Sequence, residues 1–384
     1  MRKVGIITLN GYFNYGNRLQ NYALERVLRS FDCDTSTIKV QNIDASTSKD
    51  TVLYRLQRIV RKDKGEILDK LQRKTRNIIH KTEIKESTRI RTEIFKDFTK
   101  KHIRETDLTI SNGDINKDII EQYDFFVAGS DQVWNPYYVQ GFSTYFLDFA
   151  PKEKRISYAA SFGVSSIPNE YKKKYRGFLK DIPHLSVREK NATQIIKDLT
   201  GKDALVHVDP TMLLTKDQWL GISKKASNKP DSEYLLTYFL GGIPKEHERR
   251  IKQIAQSKDL TIVNLGDIRE KDTYRTGPSE FIDYINDCSI LCTDSFHGAV
   301  FSILLEKPFV VYDRVGSTSM YSRIDTLLDK FDLTTRKAEN ICTLNDLFNI
   351  DFSHVPPILE MERNKSFDYL KNALKIRDDK THES

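Results

Sequence analysis

The sequence predicts an α/β protein with two domains that face each other across a cleft. Along most of the chain, apolar runs typical of buried strands alternate with segments whose apolar residues have helical spacing. A polar stretch at residues 216–232 interrupts this alternation and ends in Asn-Lys-Pro-Asp-Ser, which is typical of a linker. A chain of 384 residues is also long for one hydrophobic core, which favours two domains.

The composition excludes several classes of protein. Hydrophobic residues make up 39% of the chain and aromatic residues 10%, which favours packed domains over disorder. No apolar run approaches the ~20 residues that a membrane span needs, and no signal peptide precedes the strand predicted at residues 4–9. The four cysteines and the scattered histidines show no metal-binding spacing. We therefore expect a reduced, cytoplasmic protein that binds neither a metal nor a cofactor.

The N-terminal domain is predicted at residues 1–215 and begins with a strand, a loop and a helix. The loop at residues 10–17 is rich in glycine and asparagine, and apolar residues at Leu19, Ala23 and Val27 mark the helix. Neither the GxGxxG pattern nor the Walker pattern is present, so the dinucleotide and ATP fingerprints are absent. Further strands, each ending in polar residues, are predicted at residues 123–128, 155–163, 185–189 and 206–210.

The C-terminal domain is predicted at residues 233–360, followed by a helical tail at residues 361–384. Its most informative segment is Cys-Thr-Asp-Ser-Phe-His-Gly at residues 292–298, between two apolar runs. This pattern predicts a strand, a tight turn and a helix, an arrangement in which a parallel sheet presents ligand-binding groups at its carboxyl edge. His297 would then lie at a helix N-terminus, where free backbone N–H groups favour an anion while the imidazole handles a proton. A capped core helix that buries a histidine explains the same pattern.

A basic segment interrupts the N-terminal domain at about residues 50–105. Residues 55–104 carry 17 Lys and Arg against 7 Asp and Glu, a net charge of +10, whereas the whole chain carries +7. The apolar residues of this segment recur in steps of three, four and seven, which predicts amphipathic helices. A solvated helical face explains such a segment, and so does attraction to an anionic partner, such as a phospholipid surface or a diphosphate-linked lipid. Nucleic acid is not expected, because no nucleic-acid-binding motif accompanies the charge.

Several motifs follow one another in an order that one enzyme family shares. They are Asn14-Tyr15-Gly16-Asn17-Arg18-Leu19-Gln20-Asn21-Tyr22-Ala23-Leu24, Gly129-Ser130-Asp131-Gln132-Val133-Trp134-Asn135, Ser186-Val187-Arg188-Glu189, Val208-Asp209-Pro210, and Asp294-Ser295-Phe296-His297-Gly298 followed by Lys307-Pro308-Phe309. Together these residues resemble the polysaccharide pyruvyl transferase family over roughly residues 4–335, with the basic segment outside the match.

The resemblance implies both a fold and a reaction. The implied fold is similar to that of the GT-B glycosyltransferases: two Rossmann-like domains face a central cleft, here with a basic helical insertion in the N-terminal domain. The implied reaction moves the pyruvyl group of phosphoenolpyruvate onto a sugar diol, which forms a pyruvate ketal and releases phosphate. Such an enzyme would serve the biosynthesis of a capsule or an exopolysaccharide.

Ketal formation requires an acid near the methylene carbon of phosphoenolpyruvate and cations for its two anionic groups. We assign His297 as the acid and Arg188 as an anion ligand, because a guanidinium fork matches a carboxylate or a phosphate. The residues expected to bind phosphoenolpyruvate are Arg188, Ser295, His297, Gly298, Lys307, Arg314 and Arg323. A surface ion pair between Arg188 and Glu189 is the alternative explanation for this arginine.

Polar residues near two other strand ends are the candidates for acceptor binding. As a second catalytic residue, Asp131 could orient or deprotonate a sugar hydroxyl, and Trp134 could stack on a sugar face. The residues expected to bind the acceptor are Asn17, Arg18, Gln20, Ser130, Asp131 and Trp134. A turn with a buried tryptophan and simple helix capping are the alternatives. Asp209 is expected to end a strand and to shape a turn between the domains.

Two other functions fit the same features. A GT-B glycosyltransferase would use the same turn to bind the diphosphate of a nucleotide-sugar donor, and the fold alone does not exclude this. A non-catalytic protein would use the basic segment to bind a lipid carrier or a membrane surface. For a pyruvyltransferase, we expect a polyprenyl-diphosphate-linked sugar as acceptor and a cytoplasmic location, peripheral to the inner face of an anionic membrane.

Overall fold

The computed structural model describes residues 1–40, 81–110, 117–137, 143–314, 321–341 and 343–376 of the chain. In the N-terminal half, the strands are β1 (Arg2–Ile7), β2 (Cys33–Val40), β3 (Glu105–Ile110), β4 (Phe125–Ala128), β5 (Arg155–Ser157), β6 (Ser186–Val187) and β7 (Leu205–Val206). The helices of this half are α1 (Tyr15–Ser30), α2 (Lys81–His102), α3 (Lys117–Gln122), α4 (Asn169–Lys180) and α5 (Lys190–Thr200). Short 3-10 helices lie at Ser143–Phe146, Lys152–Lys154 and Pro210–Leu213.

The second half of the chain begins with α6 (Lys216–Leu220) in the segment predicted as a linker. Its strands are β8 (Tyr234–Tyr238), β9 (Thr261–Leu265), β10 (Ile290–Thr293) and β11 (Phe309–Val311). The remaining helices are α7 (Lys245–Ser257), α8 (Lys271–Tyr274), α9 (Pro278–Asp287), α10 (Phe296–Leu304), α11 (Tyr321–Lys330), α12 (Leu344–Phe348) and α13 (Val355–Ala373). Short 3-10 helices lie at Thr334–Arg336 and Ala338–Asn340.

The N-terminal sheet is parallel and has the strand order β3-β2-β1-β4-β5. Backbone bridges from Ile156 to His184 and from Ala160 to Val187 extend it towards the parallel pair of β6 and β7. The chain proceeds outwards from β1 to β2 and β3, and then from β4 to β5 on the other side. The direction reverses between the neighbouring strands β1 and β4, so a crevice opens beyond their carboxyl ends.

The C-terminal sheet is also parallel and has the strand order β11-β10-β8-β9. Here the direction reverses between β8 and β10, so the turns after these two strands line the corresponding crevice. Helices connect the parallel strands in both halves, as parallel pairing requires. The predicted α/β class, with a parallel sheet in each half of the chain, is confirmed.

Helix α1 lies between the two sheets and contacts both. Tyr15 at its start stacks on Phe281 of α9 with ring centroids 4.4 Å apart, and Tyr22 packs against Trp219 of α6 at 5.7 Å. These four residues belong to one hydrophobic core cluster, which also contains strand residues of both sheets. The N-terminus of α1 is therefore fixed by residues of both domains.

The last helix returns the chain to the N-terminal domain. Nε and Nη2 of Arg363 in α13 donate hydrogen bonds to the carbonyls of Met212 (2.8 Å) and Leu214 (2.7 Å). Further along α13, the hydroxyl of Tyr369 donates to the carbonyl of Ser157 at the end of β5 (2.8 Å). The helical tail predicted from residue 361 is thus part of a longer helix that packs on the first domain.

The basic segment lies partly outside the described residues, because residues 41–80 are not among them. Its described part is α2, an amphipathic helix as predicted. One face of α2 is exposed and charged, whereas Arg91, Phe95 and Phe98 on the other face are buried. In the part of the chain that the structure describes, no helix is both long enough and apolar enough to span a membrane.

Candidate active site

The candidate active site lies where the carboxyl edges of the two sheets meet. The N-terminal domain contributes the loop after β1, the turn after β4 and the residues that follow β6 and β7. The C-terminal domain contributes the turn between β10 and α10. Side chains of the two domains approach each other here, since Nε2 of His297 lies 3.5 Å from Oδ2 of Asp209. The site is therefore complete only when both domains are in place.

A tight turn between β10 and α10 places His297. The hydroxyl of Ser295 accepts a hydrogen bond from the N–H of Gly298 (3.3 Å) and so caps α10. The N–H of Ser295 in turn donates to the hydroxyl of Thr293 (3.0 Å). Gly298 packs so closely on Thr293 that a Cβ atom would lie 2.7 Å from the threonine hydroxyl oxygen. The predicted strand, turn and helix are therefore present, and Gly298 allows the close approach.

The imidazole of His297 lies against the N-terminus of α1. A Cβ atom on Gly16 would lie 2.0 Å from Nδ1 of the imidazole, so only glycine fits in this arrangement. The side chain of Asn14 caps α1 by accepting a hydrogen bond from the N–H of Asn17 (3.1 Å). The N-termini of α1 and α10 thus converge on His297. The partial positive charge at each helix N-terminus favours an anion at this point.

Asp209 is the central anion of the site. Its Oδ2 accepts hydrogen bonds from Nη1 of Arg188 (2.6 Å) and from the hydroxyl of Ser130 (2.7 Å). Its Oδ1 accepts hydrogen bonds from the N–H (3.0 Å) and the hydroxyl (2.7 Å) of Thr211. Burial would raise the pKa of Asp209, but the positive charges of His297 and Arg188 outweigh it and hold the pKa well below its ordinary value. Asp209 is therefore an ionised carboxylate that links Arg188 to His297.

Arg188 presents an unused pair of N–H donors. The guanidinium is buried, with 3% of the residue exposed, and Cζ lies 4.2 Å from the ring centroid of Phe296. Nη1 bonds to Asp209, and Nη2 lies 3.6 Å from Oδ1 of Asp131. Among the described residues, Nε and Nη2 have no hydrogen-bond partner. Adjacent guanidinium donors bind a carboxylate or a phosphate in a bidentate manner, so this edge suits an external anion.

Asp131 faces Arg188 from the turn after β4. Its backbone has a positive φ of 72°, a left-handed conformation that costs energy for any residue except glycine. The side-chain amide of Asn17 donates a hydrogen bond to Oδ2 of Asp131 (3.1 Å). Burial would raise the pKa of Asp131, but the charges of Arg188, His297 and Arg323 lower it below its ordinary value. The carboxylate is therefore ionised and held in one orientation.

A small cavity adjoins the guanidinium of Arg188. Its lining residues are Arg188, His207, Val208, Asp209, Met212, Phe296, Arg323, Thr326, Leu327 and Lys330. Burial and the charge of Arg188 lower the pKa of Arg323 to about 10, so this second guanidinium remains charged at neutral pH. Burial lowers the pKa of His207 to about 4, so this imidazole is neutral. Two charged arginines beside one cavity create a positive potential that favours an anionic ligand.

Asp294 and Arg314 support the histidine-bearing turn. The carboxylate of Asp294 accepts hydrogen bonds from the N–H groups of Leu240 (2.7 Å) and Gly241 (2.8 Å) after β8. Arg314 holds the same residue, with Nε 3.1 Å from Oδ2 and Nη2 donating to the backbone carbonyl at 3.0 Å. These bonds tie together the two turns that flank the reversal point of the C-terminal sheet.

The structure brings together only some of the residues predicted to bind phosphoenolpyruvate. Arg188, His297 and Arg323 lie at the anion-binding end of the cleft, and Arg314 supports the turn that Ser295 and Gly298 build. Lys307 lies elsewhere, because it precedes β11 and follows the C-terminal end of α10. The length of α10 therefore separates Lys307 from His297 at the start of that helix.

The residues predicted to bind the acceptor also divide into two groups. Asn17 and Ser130 lie at the site through their bonds to the two carboxylates. Arg18 is fully buried and paired with Glu105 at 2.8 Å, and Gln20 donates its amide N–H to the carbonyl of Asn17 (3.1 Å). Arg18 and Gln20 therefore brace the loop after β1 from within.

Trp134 is a core residue in this structure. Its indole N–H donates to the carbonyl of Tyr145 (3.0 Å), and its ring lies parallel to Phe146 with centroids 5.4 Å apart. The side chain is fully buried, so it offers no face on which a sugar could stack. The expected stacking role is not available here, and the alternative of a turn with a buried tryptophan describes what is observed.

Asp209 and Gly16 are the two site residues whose role the sequence analysis missed. Asp209 was assigned to a turn, although it follows β7, the neighbour of the strand that precedes Arg188. An acidic residue at a strand end beside an arginine at the next strand end was a usable signal. No local pattern shows that position 16 must be glycine, because the need for glycine arises from the close approach of His297, which lies 281 positions away along the chain.

The assembled groups can bind an oxyanion and transfer a proton at one place. The anion ligands are guanidinium groups and helix N-termini, and the imidazole of His297 lies between the two domains beside an ionised carboxylate. Within the described ranges, no group of three or more His, Cys, Asp or Glu side chains could hold a metal ion.

Comparison with known protein families identifies the family of this chain. The sequence profile described as polysaccharide pyruvyl transferase matches residues 14–314. The chain belongs to this family. As a polysaccharide pyruvyl transferase, it is a transferase, and the predicted family and enzyme class are confirmed. Asp131, Arg188, Asp209 and His297 fall within the matched range, whereas the cavity-lining residues of α11 (Arg323, Thr326, Leu327 and Lys330) lie beyond it. No curated protein matches the chain.

Several solved structures resemble this pyruvyl transferase family member. S. aureus MnaA in complex with UDP has a TM-score of 0.50 and 11% identity, covering 98% of each chain. UDP-GlcNAc 2-epimerase from Neisseria meningitidis has a TM-score of 0.45 and 12% identity, also covering 98% of each chain. E. coli ADP-heptose heptosyltransferase II has a TM-score of 0.36 and 12% identity, covering 94% of this chain and 99% of that chain. The similarity to S. aureus MnaA, together with the two parallel sheets, shows a GT-B-like fold, as predicted.

Proposed function

We propose that this pyruvyl transferase takes its pyruvyl group from phosphoenolpyruvate and forms a ketal on a sugar diol, with release of phosphate. The observation that carries the proposal is the Nε–Nη2 edge of Arg188, which is buried beside His297 and makes no hydrogen bond to any described residue. Asp131 lies 3.6 Å from Nη2, too far for a hydrogen bond, and buried N–H donors that make no hydrogen bond are costly unless an anion binds there. An acid next to that anion is what addition to an enol phosphate requires.

The donor carries a carboxylate and a phosphate, and the site contains ligands for both. Arg188 offers two parallel N–H donors to one of these groups, and Arg323 lies across the same cavity. The N-termini of α1 and α10 supply partial positive charge near His297. Because Asp209 already occupies Nη1 of Arg188, it fixes the direction in which the remaining donors point.

The proton transfers follow from the position of His297. The imidazolium gives its proton to the methylene carbon, which becomes a methyl group, and one sugar hydroxyl attacks the neighbouring carbon. The phosphate leaves with the electrons of the C–O bond, and a second hydroxyl then closes the ketal ring. One hydroxyl proton replaces the proton that His297 gave, and the other leaves with the phosphate. Asp209 stabilises the imidazolium, since an ionised carboxylate lies 3.5 Å from Nε2.

The acceptor would approach from the side of Asp131. This ionised carboxylate can orient the attacking hydroxyl, and its bond to Asn17 restricts it to one direction. We propose that the sugar is carried on a polyprenyl diphosphate, because the chain has a basic segment that would favour an anionic surface. Residues 55–80, which have a net charge of +6, lie outside the described residues.

The decisive experiment supplies the purified protein with phosphoenolpyruvate and a panel of free, nucleotide-linked and polyprenyl-diphosphate-linked sugars. We expect phosphate release and ketal formation in equal amounts, measured by a phosphate assay and by mass spectrometry of the product. In the same assay, Lys307→Ala should release phosphate at the wild-type rate, because Lys307 lies at the far end of α10 from His297. Ketal formation from a different pyruvyl donor, with phosphoenolpyruvate unused, would refute the proposal.

A further inference from the structure

Helix α2 connects the two domains along one of its faces. Glu83 forms an ion pair with Lys271 of α8 (3.1 Å), and the hydroxyl of Ser87 accepts a hydrogen bond from Nη2 of Arg275 (3.2 Å). Arg91 continues the series one turn later. Residues four apart share one face of a helix, so these contacts form a single line towards the C-terminal domain. The described part of the basic segment is therefore not only a solvated face.

Arg91 contacts both domains with one guanidinium. The residue is 4% exposed, and its Nη2 donates to the carbonyl of Phe13 (3.0 Å) in the loop before α1. Nη1 donates to the hydroxyl of Tyr15 (2.9 Å), to the carbonyl of Tyr274 and to the carbonyl of Thr276 (3.4 Å). Phe13 and Tyr15 belong to the N-terminal domain, whereas Tyr274 and Thr276 belong to the C-terminal domain.

Tyr15 carries this connection to the active site. Its hydroxyl donates to the carbonyl of Thr276 (3.2 Å), and its ring stacks on Phe281. The Cζ atom of Arg91 lies 4.6 Å from the centroid of the same ring. The next residue is Gly16, the residue on which the imidazole of His297 rests. A displacement at Tyr15 would therefore move the surface that supports His297.

We propose that Arg91 is a positioning residue that holds the N-terminus of α1 against His297. Arg91 has no bond to the predicted anion ligand Arg188 or to Asp209, so it acts through α1 and not on the donor. The catalytic part of this inference rests on the proposed function, because its effect is measured on pyruvyl transfer. The structural part can be measured without turnover.

The test compares Arg91→Lys with the matched control Arg89→Lys. Arg89 lies on the exposed face of the same helix and is paired with Glu86 within that helix. Lysine keeps the charge at position 91 but cannot span the two domains with a planar fork. We expect hydrogen exchange at residues 13–17 and 274–276 to rise at least about tenfold in Arg91→Lys, and not in Arg89→Lys.

In the same variant, we expect kcat to fall roughly 10- to 100-fold, because a small misplacement of a catalytic group costs that much. The KM for phosphoenolpyruvate should stay close to that of the wild type, which a general loss of structure would not allow. If Arg91→Lys folds poorly, Tyr15→Phe removes the two hydrogen bonds of the Tyr15 hydroxyl, to Arg91 and to Thr276, and leaves the other bonds of Arg91 in place. It should give a smaller change in the same direction.

Wild-type kcat in Arg91→Lys would overturn the proposal, whether or not hydrogen exchange rises. Unchanged exchange at residues 13–17 would overturn the structural part as well. If the wild-type protein turns over no acceptor, the proposed function fails instead. The exchange measurement then still decides whether Arg91 holds the N-terminus of α1.

Discussion

The carboxylate of Asp209, in the N-terminal domain, lies 3.5 Å from Nε2 of His297, in the C-terminal domain. The same carboxylate oxygen bonds to Nη1 of Arg188 at 2.6 Å. One buried anion thus connects the predicted acid to the predicted anion ligand across the domain boundary. The relative position of the two domains therefore sets the distance between proton transfer and anion binding.

Asp209→Asn should remove this connection while preserving the shape of the side chain. Without the negative charge, the imidazolium of His297 and the guanidinium of Arg188 both lose the counter-charge that Asp209 supplies. We expect kcat to fall by on the order of 10²-fold or more, as for other carboxylates that orient a catalytic imidazole. Asp203→Asn is the control, because Asp203 forms only an exposed ion pair with Lys197. Steady-state kinetics check the prediction, and a wild-type kcat in Asp209→Asn would count against it.

Arg188→Lys should weaken the binding of the donor much more than that of the acceptor. Lysine keeps the positive charge but loses the adjacent N–H donors that bind an anion in a bidentate manner. Loss of one hydrogen bond to a charged group costs about 1.5–3 kcal/mol, which corresponds to a rise of roughly 10- to 100-fold in the KM for phosphoenolpyruvate. Arg176→Lys on the surface of α4 should leave both KM values unchanged. An unaltered donor KM in Arg188→Lys would show that this arginine is only structural.

Gly16→Ala tests the close approach of α1 to the imidazole. The added methyl group would lie 2.0 Å from Nδ1 of His297, so the ring must move. We expect a protein that remains folded. Its kcat should be about one-tenth of the wild-type value or lower, because the proton donor is displaced. Gly177→Ala in α4 is the control, since nothing lies within 4 Å of the added atom. That variant should keep its activity and gain up to ~1 kcal/mol of stability from the better helix former. Equal activity of the two variants would contradict the packing described here.

The sequence predicted most of the fold because the signals for it are local. Buried strands that end in polar residues place those residues at one edge of a parallel sheet, wherever the helices pack. This is why Arg188, Asp131 and His297 could be named in advance, and the structure brings them together. Lys307 was named as a positive charge that follows the histidine-bearing helix, and the length of that helix places it at the opposite end from His297.

The remaining site residues depend on contacts between distant segments, which no local pattern encodes. Trp134 follows a turn motif that would suit an exposed aromatic ring as well as a buried one, and only the packing of Phe146 decides between them. Arg91 was counted among the charges of a basic segment, yet its side chain is buried between the domains. Charge counts describe what a segment carries, whereas burial depends on what packs against it.

His207 should make the stability of the protein depend on pH in a defined range. Burial lowers the pKa of His207 to about 4, compared with about 6.5 in the unfolded chain. Between these two values the unfolded state binds more protons than the folded state, so stability falls as the pH is lowered from about 6.5 to about 4. The loss amounts to at most ~3 kcal/mol.

His207→Gln removes this titration and keeps a polar side chain near Ser186, whose hydroxyl lies 2.8 Å from Nδ1 of the histidine. Urea unfolding at pH 7 and pH 4.5 should show a smaller loss of stability for the variant than for the wild type. Equal losses in the two proteins would mean that His207 does not govern this range.

The rate of ketal formation from phosphoenolpyruvate by the wild type and by His297→Ala tests the central claim most directly. The wild type should release one phosphate for each ketal formed. His297→Ala should retain the fold, measured by circular dichroism and thermal unfolding, but lose ~10²–10⁴-fold in kcat, the usual contribution of general acid catalysis. Turnover close to that of the wild type in His297→Ala would contradict the assignment of this histidine as the proton donor.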